Sequence, residues 1–162
     1  MFFVDPFLYT FPPQLHVQAQ TIRLLVVDDH HVVRSGLAAS LGLEDDLTVV
    51  AEAGHAEEAV AKYRQHQPDV VLMDLRLPGP NGTAATADLR REWPEARVLM
   101  FTTFDGEEDI YRAMQAGARG YLLKSAPREE LLSAIRAVAA GERHLSPGPW
   151  PSGLPAASLR RM

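Results

Sequence analysis

The stretch Ile22-Arg23-Leu24-Leu25-Val26-Val27-Asp28-Asp29 joins a nearly continuous aliphatic run to two adjacent carboxylates. Short aliphatic runs of this kind are typical of strands that are buried on both faces of a parallel sheet. In such sheets the ligand-binding residues follow the carboxyl ends of the strands. The stretch therefore predicts a first strand over Ile22–Val27 and, directly after it, the start of a functional site.

The alternation of a short apolar run with a longer amphipathic segment continues to Ala140. It predicts further strands at 47–53, 69–73, 97–101 and 120–123, and helices at 32–41, 56–66, 83–92, 107–116 and from 127 onward. Because strand and helix alternate, we expect an α/β fold with a doubly wound, five-stranded parallel sheet and helices on both faces. The flavodoxin-like strand order 2-1-3-4-5 is the common solution for five such units. The more polar second strand is expected at the sheet edge.

Composition divides the chain into three parts. We expect one domain over residues 21–145, preceded by an N-terminal extension, 1–20, that is aromatic and expected to be poorly ordered. Residues 146–162 form a tail or truncated linker rich in Pro and Gly, which cannot continue a helix or enter a sheet. In the last predicted helix, an apolar stripe is expected to face the core rather than a dimer partner; it comprises Leu131, Leu132, Ile135 and Val138.

The overall composition excludes several classes of protein. The chain has no cysteine, which rules out disulfides, thiolate metal sites and a cysteine nucleophile. A net charge of -5 disfavours nucleic-acid binding through the electrostatic potential of the whole protein. No apolar run approaches the roughly 18–20 residues that a membrane span requires, and no signal peptide is visible. We therefore expect a cytoplasmic protein.

Polar side chains follow four of the predicted strands. They are Asp28 and Asp29 after the first, Asp74 after the third, Thr102 and Thr103 after the fourth, and Lys124 after the fifth. Two carboxylates about 4 Å apart repel by about 4 kcal/mol at an effective dielectric near 20, so three require compensation. Lys124 supplies one positive charge. The remaining deficit suits a hard cation held by oxygen ligands, which favours Mg²⁺, with Mn²⁺ as the second choice.

Two alternatives to this metal site remain open. His30 and His31 follow the acidic pair, so zinc has to be considered, but adjacent histidines point in different directions and no third nitrogen ligand is suitably spaced. Alternatively, Asp28 or Asp29 caps the helix that follows. The cap accounts for one acid and leaves the other residues of the cluster without a role.

A cation held by carboxylates usually serves phosphate chemistry. One of the carboxylates can then be the nucleophile that forms an aspartyl phosphate. We assign that role to Asp74, and we expect Thr102 and Lys124 to donate to the phosphoryl oxygens.

Four segments, in this order, closely resemble response-regulator receiver domains of two-component systems, and the NarL/FixJ (LuxR-type) branch in particular. The resemblance covers about Ile22 to Leu145, and the segments are Leu25-Val26-Val27-Asp28-Asp29-His30, Val71-Leu72-Met73-Asp74-Leu75-Arg76-Leu77-Pro78-Gly79, Val98-Leu99-Met100-Phe101-Thr102-Thr103 and Gly117-Ala118-Arg119-Gly120-Tyr121-Leu122-Leu123-Lys124. The resemblance implies a Mg²⁺-dependent signalling switch in transcriptional regulation, in which a histidine kinase is the phosphodonor.

The resemblance also implies roles for individual residues. Asp74 matches the phosphoacceptor and a metal ligand, Asp29 the direct metal ligand, Asp28 its water-mediated neighbour, and the backbone carbonyl of Arg76 a further ligand. This chemistry makes the domain a phosphoacceptor that phosphorylates itself and slowly loses the group, not a turnover enzyme.

The switch residues follow from the same resemblance. Thr102 matches the hydroxyl that moves toward the phosphoryl group, and Lys124 the ammonium that contacts it. Tyr121 matches the aromatic ring that turns inward with the threonine; from the residues alone it is simply a good strand former.

The sequence also departs from the family pattern. Ser125 follows the lysine where an acid or proline is usual, and Pro80 and Asn81 replace an apolar residue and an aspartate. Although members of this branch usually continue into a helix-turn-helix domain, no such sequence follows Leu145. We therefore expect no DNA binding by this chain alone, while a homodimer through helical faces is compatible with the sequence.

The residues leave two other functions open. A phosphatase with an aspartyl nucleophile would place an acid two residues after Asp74, but that residue is Arg76, which cannot be a general acid. A stand-alone receiver or a pseudo-receiver would act as a protein-interaction module, and in the pseudo-receiver the site would be chemically inactive.

Overall fold

The computed structural model describes residues 20–104 and 106–145. The tail and the N-terminal extension, apart from Gln20, lie outside the described residues. The strands are β1 (Ile22–Val27), β2 (Leu47–Ala53), β3 (Val70–Met73), β4 (Val98–Thr102), β5 (Gly120–Leu123) and β6 (His144–Leu145). The helices are α1 (His31–Leu41), α2 (Ala56–His66), α3 (Gly82–Glu92), α4 (Glu107–Gln115) and α5 (Arg128–Ala139).

The strands form one parallel sheet in the order β2-β1-β3-β4-β5-β6. This confirms the predicted flavodoxin-like order 2-1-3-4-5 and the position of β2 at the edge. The prediction of five strands missed β6, which pairs with β5 through Gly120 and Tyr121. Two residues are too few to show the periodicity from which strands are predicted.

The sheet separates two apolar layers because successive side chains of a strand point to opposite faces. Leu25 and Val27 of β1 belong to the layer that α2, α3 and α4 cover, while Leu24 and Val26 belong to the layer beneath α1 and α5. The apolar stripe of α5 lies in the second layer, as predicted, and its members are Leu131, Leu132, Ile135 and Val138.

Backbone hydrogen bonds align the strand ends at one edge of this sheet. The amide of Asp74 donates to the carbonyl of Val27 at 2.9 Å, and the amide of Lys124 donates to that of Thr102 at 2.8 Å. The carboxyl ends of β1, β3, β4 and β5 therefore form one rim, on which the predicted site residues lie. Within the described residues, no helix is both long and apolar enough to span a membrane.

Candidate functional site

Three polar residues of the rim are withdrawn from solvent. Asp28 is 2% exposed, Asp74 5% and Thr102 0%. Asp28 and Asp74 directly follow buried apolar strands, and Thr102 ends one. Burying an ionised carboxylate is costly unless it is paired and hydrogen-bonded. The partners of these carboxylates therefore determine what the site can do.

Lys124 joins the two buried carboxylates. Its Nζ donates to Asp28 Oδ2 at 2.5 Å and to Asp74 Oδ2 at 3.1 Å. The sequence places these residues up to 96 positions apart, and the aligned ends of β1, β3 and β5 bring them together. One ammonium thus faces two carboxylates, so the group of Lys124, Asp28 and Asp74 carries a net negative charge.

The pKa values of both partners reflect this pairing. Burial alone raises the pKa of Asp28, but hydrogen bonds from Lys124 and from the His30 amide outweigh burial and lower it below its usual value. Burial lowers the pKa of Lys124, but its hydrogen bonds to Asp28 and Asp74 outweigh that effect and raise it. Asp28 and Lys124 are therefore both charged at neutral pH.

A group of ligand atoms suitable for a divalent cation lies beside this pair. Oxygens of Asp28, Asp29 and Asp74 and a ring nitrogen of His30 all lie within 4.8 Å of one another. His30 Nδ1 is 3.2 Å from Asp28 Oδ1 and 3.0 Å from Asp29 Oδ1. Three carboxylates with one imidazole form an oxygen-rich donor set, which suits a hard cation better than zinc. His31, which the zinc alternative required, is not part of this group.

Thr102 and Tyr121 both contact the loop between β4 and α4. Thr102 Oγ1 accepts a hydrogen bond from the Phe104 amide at 3.4 Å, and the Tyr121 hydroxyl donates to the Phe104 carbonyl at 2.6 Å. Tyr121 is 4% exposed, so its ring lies inside the fold. Phe104 thus links the two residues that sequence comparison assigned to a switch.

Arg76 lies at the mouth of the site and not within its polar group. Its guanidinium carbon is 4.2 Å from the centroid of the Phe104 ring, and both side chains are exposed. Its predicted contribution is a backbone carbonyl, for which the structure gives no ligand contact.

Sequence reasoning did not assign a role to Phe104, to Arg34 or to a cluster containing His30. The Arg34 guanidinium donates to the Asp28 carbonyl at 2.5 Å, a contact that only the tertiary fold creates. For His30, adjacency to the acidic pair was a usable signal. No pattern in the sequence marks Phe104, because its hydrogen bonds to Thr102 and Tyr121 run through its backbone groups.

The rim residues lie within the part of the chain that matches a known family. The profile of the response regulator receiver domain matches residues 24–136. The chain belongs to this family. Receiver domains are parts of two-component signalling proteins, and its relatives place this one in the NarL/LuxR branch.

Several similar proteins illustrate this placement. The receiver is 41% identical, over 127 residues, to the oxygen regulatory protein NreC of Staphylococcus carnosus, covering 78% of this chain and 58% of NreC. A LuxR-family response regulator from Aurantimonas sp. SI85-9A1 is 44% identical, with a TM-score of 0.76 and coverage of 79% of this chain and 91% of that one. The signal receiver domain of the putative response regulator NarL from Mycobacterium tuberculosis is 36% identical, with a TM-score of 0.73 and coverage of 76% of this chain and 99% of that one.

The extent of the match limits what these relatives imply. The receiver chain spans a little over half, 58%, of the length of the NreC proteins that it matches. The family and fold follow from the match, whereas the activity of a whole regulator does not.

Proposed function

We propose that this receiver is cytoplasmic, that it accepts a phosphoryl group on Asp74 from the phosphohistidine of a histidine kinase, and that the modified domain acts as a switch in transcriptional regulation. The observation that carries the proposal is the contact of Lys124 Nζ with the buried carboxylate of Asp74 at 3.1 Å. A carboxylate that is 5% exposed, faces an ammonium and lies at the end of a parallel strand has the environment of a nucleophile rather than of a surface acid.

Asp28, Asp29 and Asp74 would hold a Mg²⁺ ion, and the carbonyl of Arg76 would be a further ligand. The support is the oxygen-rich group itself, whose ligand atoms lie within 4.8 Å of one another. When bound, the ion supplies positive charge that stabilises the transferring phosphoryl group. Mn²⁺ has similar ligand preferences and is expected to substitute for it.

The proposed phosphoryl transfer forms one bond to phosphorus and breaks another. An Oδ atom of Asp74 attacks phosphorus, a P–O bond forms, the P–N bond to the kinase histidine breaks, and the departing imidazole nitrogen regains a proton. The Lys124 ammonium would donate to one phosphoryl oxygen and partly neutralise its charge, and the Thr102 hydroxyl would donate to a second phosphoryl oxygen. The group adds a charge of about -1.5 to -2, and this charge would bias the position of Thr102.

Movement of Thr102 would reach the surface through Phe104. Thr102 and Tyr121 both hydrogen-bond to Phe104, one at its amide and one at its carbonyl. A shift of the hydroxyl toward Asp74 would therefore reposition the loop before α4. The surface around β4, α4 and β5 is the expected output, on which a partner or a second receiver would bind.

The test is labelling by acetyl phosphate in the presence of Mg²⁺, followed by intact-mass spectrometry. We expect the receiver to gain one phosphoryl group that hydroxylamine removes, and the Asp74→Asn variant to gain none. Asp88→Asn is the matched control, because Asp88 lies on α3 in an exposed ion pair with Arg91. Labelling of Asp74→Asn, or a wild-type chain that stays unlabelled while binding Mg²⁺, would overturn the proposal.

The alternatives predict different results in the same experiment. A pseudo-receiver would remain unlabelled, whereas a phosphatase would release inorganic phosphate steadily from small phosphoesters. Arg76 occupies the position that would need an acid, and its guanidinium stacks on Phe104. The family consists of signalling proteins, which also favours a phosphoacceptor over a turnover enzyme.

A further inference from the structure

Three arginines lie at the amino-terminal ends of the strands, whereas Asp74 follows the carboxyl end of β3. Arg119 directly precedes β5, Arg143 directly precedes β6, and Arg90 lies in the last turn of α3. We refer to these three residues as the arginine triad. The chain as a whole has a net charge of -5, so a cluster of cations calls for an explanation.

The backbone places Arg119 and Arg143 side by side. The amide of His144 donates to the carbonyl of Arg119 at 3.1 Å, and Gly120 is the register partner of His144. Extending this register by one residue pairs Arg119 with Arg143 on neighbouring chain segments, which lie about 4.8 Å apart in a sheet. Register partners point to the same face, so both guanidinium groups emerge on one side.

Arg90 reaches the same place from α3. A Cβ atom built on Gly117 would lie 2.9 Å from Arg90 Nε and 3.2 Å from its Cγ, so the arginine stem crosses the loop that leads to Arg119. Leu89 of α3 packs in the same apolar layer as Tyr121 and Leu145, two positions beyond the paired arginines. The three guanidinium groups therefore share one face at one end of the sheet.

Among the described residues, no carboxylate pairs with the triad. Within residues 20–104 and 106–145, none of its members forms an ion pair with a carboxylate. Arg90 donates to the carbonyls of Pro94 and Ala96, which are neutral acceptors. Burial lowers the pKa of Arg143, and the charges of Arg119 and Arg90 lower it further.

One donor of the triad is buried without a partner. Arg143 Nε has almost no exposed surface and no hydrogen bond to any described residue. Leaving a buried donor unsatisfied is unfavourable, and more so when the group is charged. The positive charge of Arg143 is therefore poorly compensated beside two further cations, which favours an anion at this face.

The rest of the sequence offers few anions to fill this role. Residues 146–162, which follow β6, contain no Asp or Glu, and residues 1–19 contain one acid, Asp5. The counter-charge is therefore expected from outside these segments.

We propose that the arginine triad binds a small phosphate-class anion, best matched by the diphosphate group of a free metabolite. Guanidinium groups pair with phosphate oxygens through two parallel hydrogen bonds, and their planar shape favours this geometry over a point charge. Because Arg143 Nε itself is closed to solvent, the anion would pair with the terminal nitrogens of the guanidinium groups. Three cations match the charge of a diphosphate.

Such a ligand would act on the segments before β5 and β6 rather than on the proposed phosphoacceptor, Asp74. It would link α3 to the segments that precede β5 and β6, and β6 is the last element of the described residues. The proposal goes beyond phosphorylation of Asp74, since the two sites lie at opposite ends of the strands.

The experiment is calorimetric titration of the full chain with pyrophosphate, without Mg²⁺ and with NaCl controls of matched ionic strength. Arg143→Gln should weaken binding about tenfold or more, since one charge-assisted hydrogen bond is worth about 1.5–3 kcal/mol. Arg112→Gln is the matched control, because Arg112 is exposed on α4 and paired with Glu108; it should change affinity less than about twofold. Arg119→Gln provides a second variant should Arg143→Gln melt at a lower temperature.

An NMR readout makes the test specific to the site. Pyrophosphate should shift the Nε–H signal of Arg143, and Asp74→Asn should bind it as tightly as the wild type. Equal weakening by Arg112→Gln, or heat no greater than with NaCl, would overturn the proposal by showing an unspecific ionic effect. Binding of a short single-stranded oligonucleotide without binding of pyrophosphate would overturn it in favour of a nucleic-acid surface.

Discussion

Lys124 places one ammonium 2.5 Å from Asp28 and 3.1 Å from Asp74, and its own side chain is 17% exposed. Both carboxylates are more deeply buried than the lysine. Among the described residues, Lys124 is the cation that contacts both carboxylates, so its removal would leave their mutual repulsion without this compensation. The consequence can be measured without any phosphodonor.

We expect Lys124→Met to lower the free energy of unfolding by about 2 kcal/mol in Mg²⁺-free buffer, somewhat less than the 3–5 kcal/mol typical of a fully buried pair. Urea denaturation at neutral pH measures the change. The control is Lys62→Met on α2, which removes the same charge from the only other lysine of the chain. A loss for Lys62→Met as large as that for Lys124→Met would contradict an effect specific to the carboxylates.

At the scale of elements, the turn between β3 and α3 is held against the backbone of Asp74, the proposed phosphoacceptor. The amide of Gly82 donates to the carbonyl of Leu75 at 2.8 Å. A Cβ on Gly82 would overlap the carbonyl oxygen of Asp74 and would lie 2.9 Å from its carbon. A glycine is needed here because of this close approach between two backbone segments.

Gly82→Ala should therefore lower the free energy of unfolding by about 2–3 kcal/mol, as overpacking against rigid atoms does. It should also reduce acetyl phosphate labelling, because Asp74 has to move. Gly36→Ala is the matched control: a Cβ there meets nothing within 4 Å. On helix α1 that change should stabilise the protein by about 0.5–1 kcal/mol. Urea denaturation of both variants decides, and unchanged stability of Gly82→Ala would refute the close contact.

The sequence was sufficient to predict these elements but not the links between them. Apolar periodicity located both ends of α1–α4 and of β1–β5, and the start of α5, within one residue, because each element is long enough to show its period. It also placed Asp28, Asp74 and Lys124 on one rim, since parallel strands end together. Contacts through backbone groups, such as that of Tyr121 with Phe104, depend on loop paths that residue types do not encode.

At the scale of the whole molecule, ion pairs join the first and last parts of the receiver. Arg136 of α5 donates to Asp46, before β2, at 2.8 Å and 2.9 Å, across 90 positions of sequence. It also donates to Glu44 at 3.0 Å. Pairs so distant in sequence could not be predicted, because nothing in a charge pattern specifies which exposed groups meet.

The strength of this link should depend on pH. The hydrogen bond from Arg136 lowers the pKa of Asp46 below the ordinary 3.8. Because the folded-state value is the lower one, the stabilisation is fully present above pH 3.8 and is lost as the pH falls through the folded-state value. Both side chains are about 40% exposed, so solvent limits the contribution at neutral pH to about 0.5–1 kcal/mol.

A double-mutant cycle of Arg136→Gln and Asp46→Asn, measured by urea denaturation across this range, tests the link. The coupling free energy should equal the stabilisation at pH 7, should shrink as Asp46 becomes protonated, and should fall in molar NaCl because exposed charges are screened. The pair of Arg136 with Glu44 remains in Asp46→Asn, so the cycle isolates the Asp46 contact. A coupling that persists unchanged well below pH 3.8 would mean that packing, not charge, joins α5 to the segment before β2.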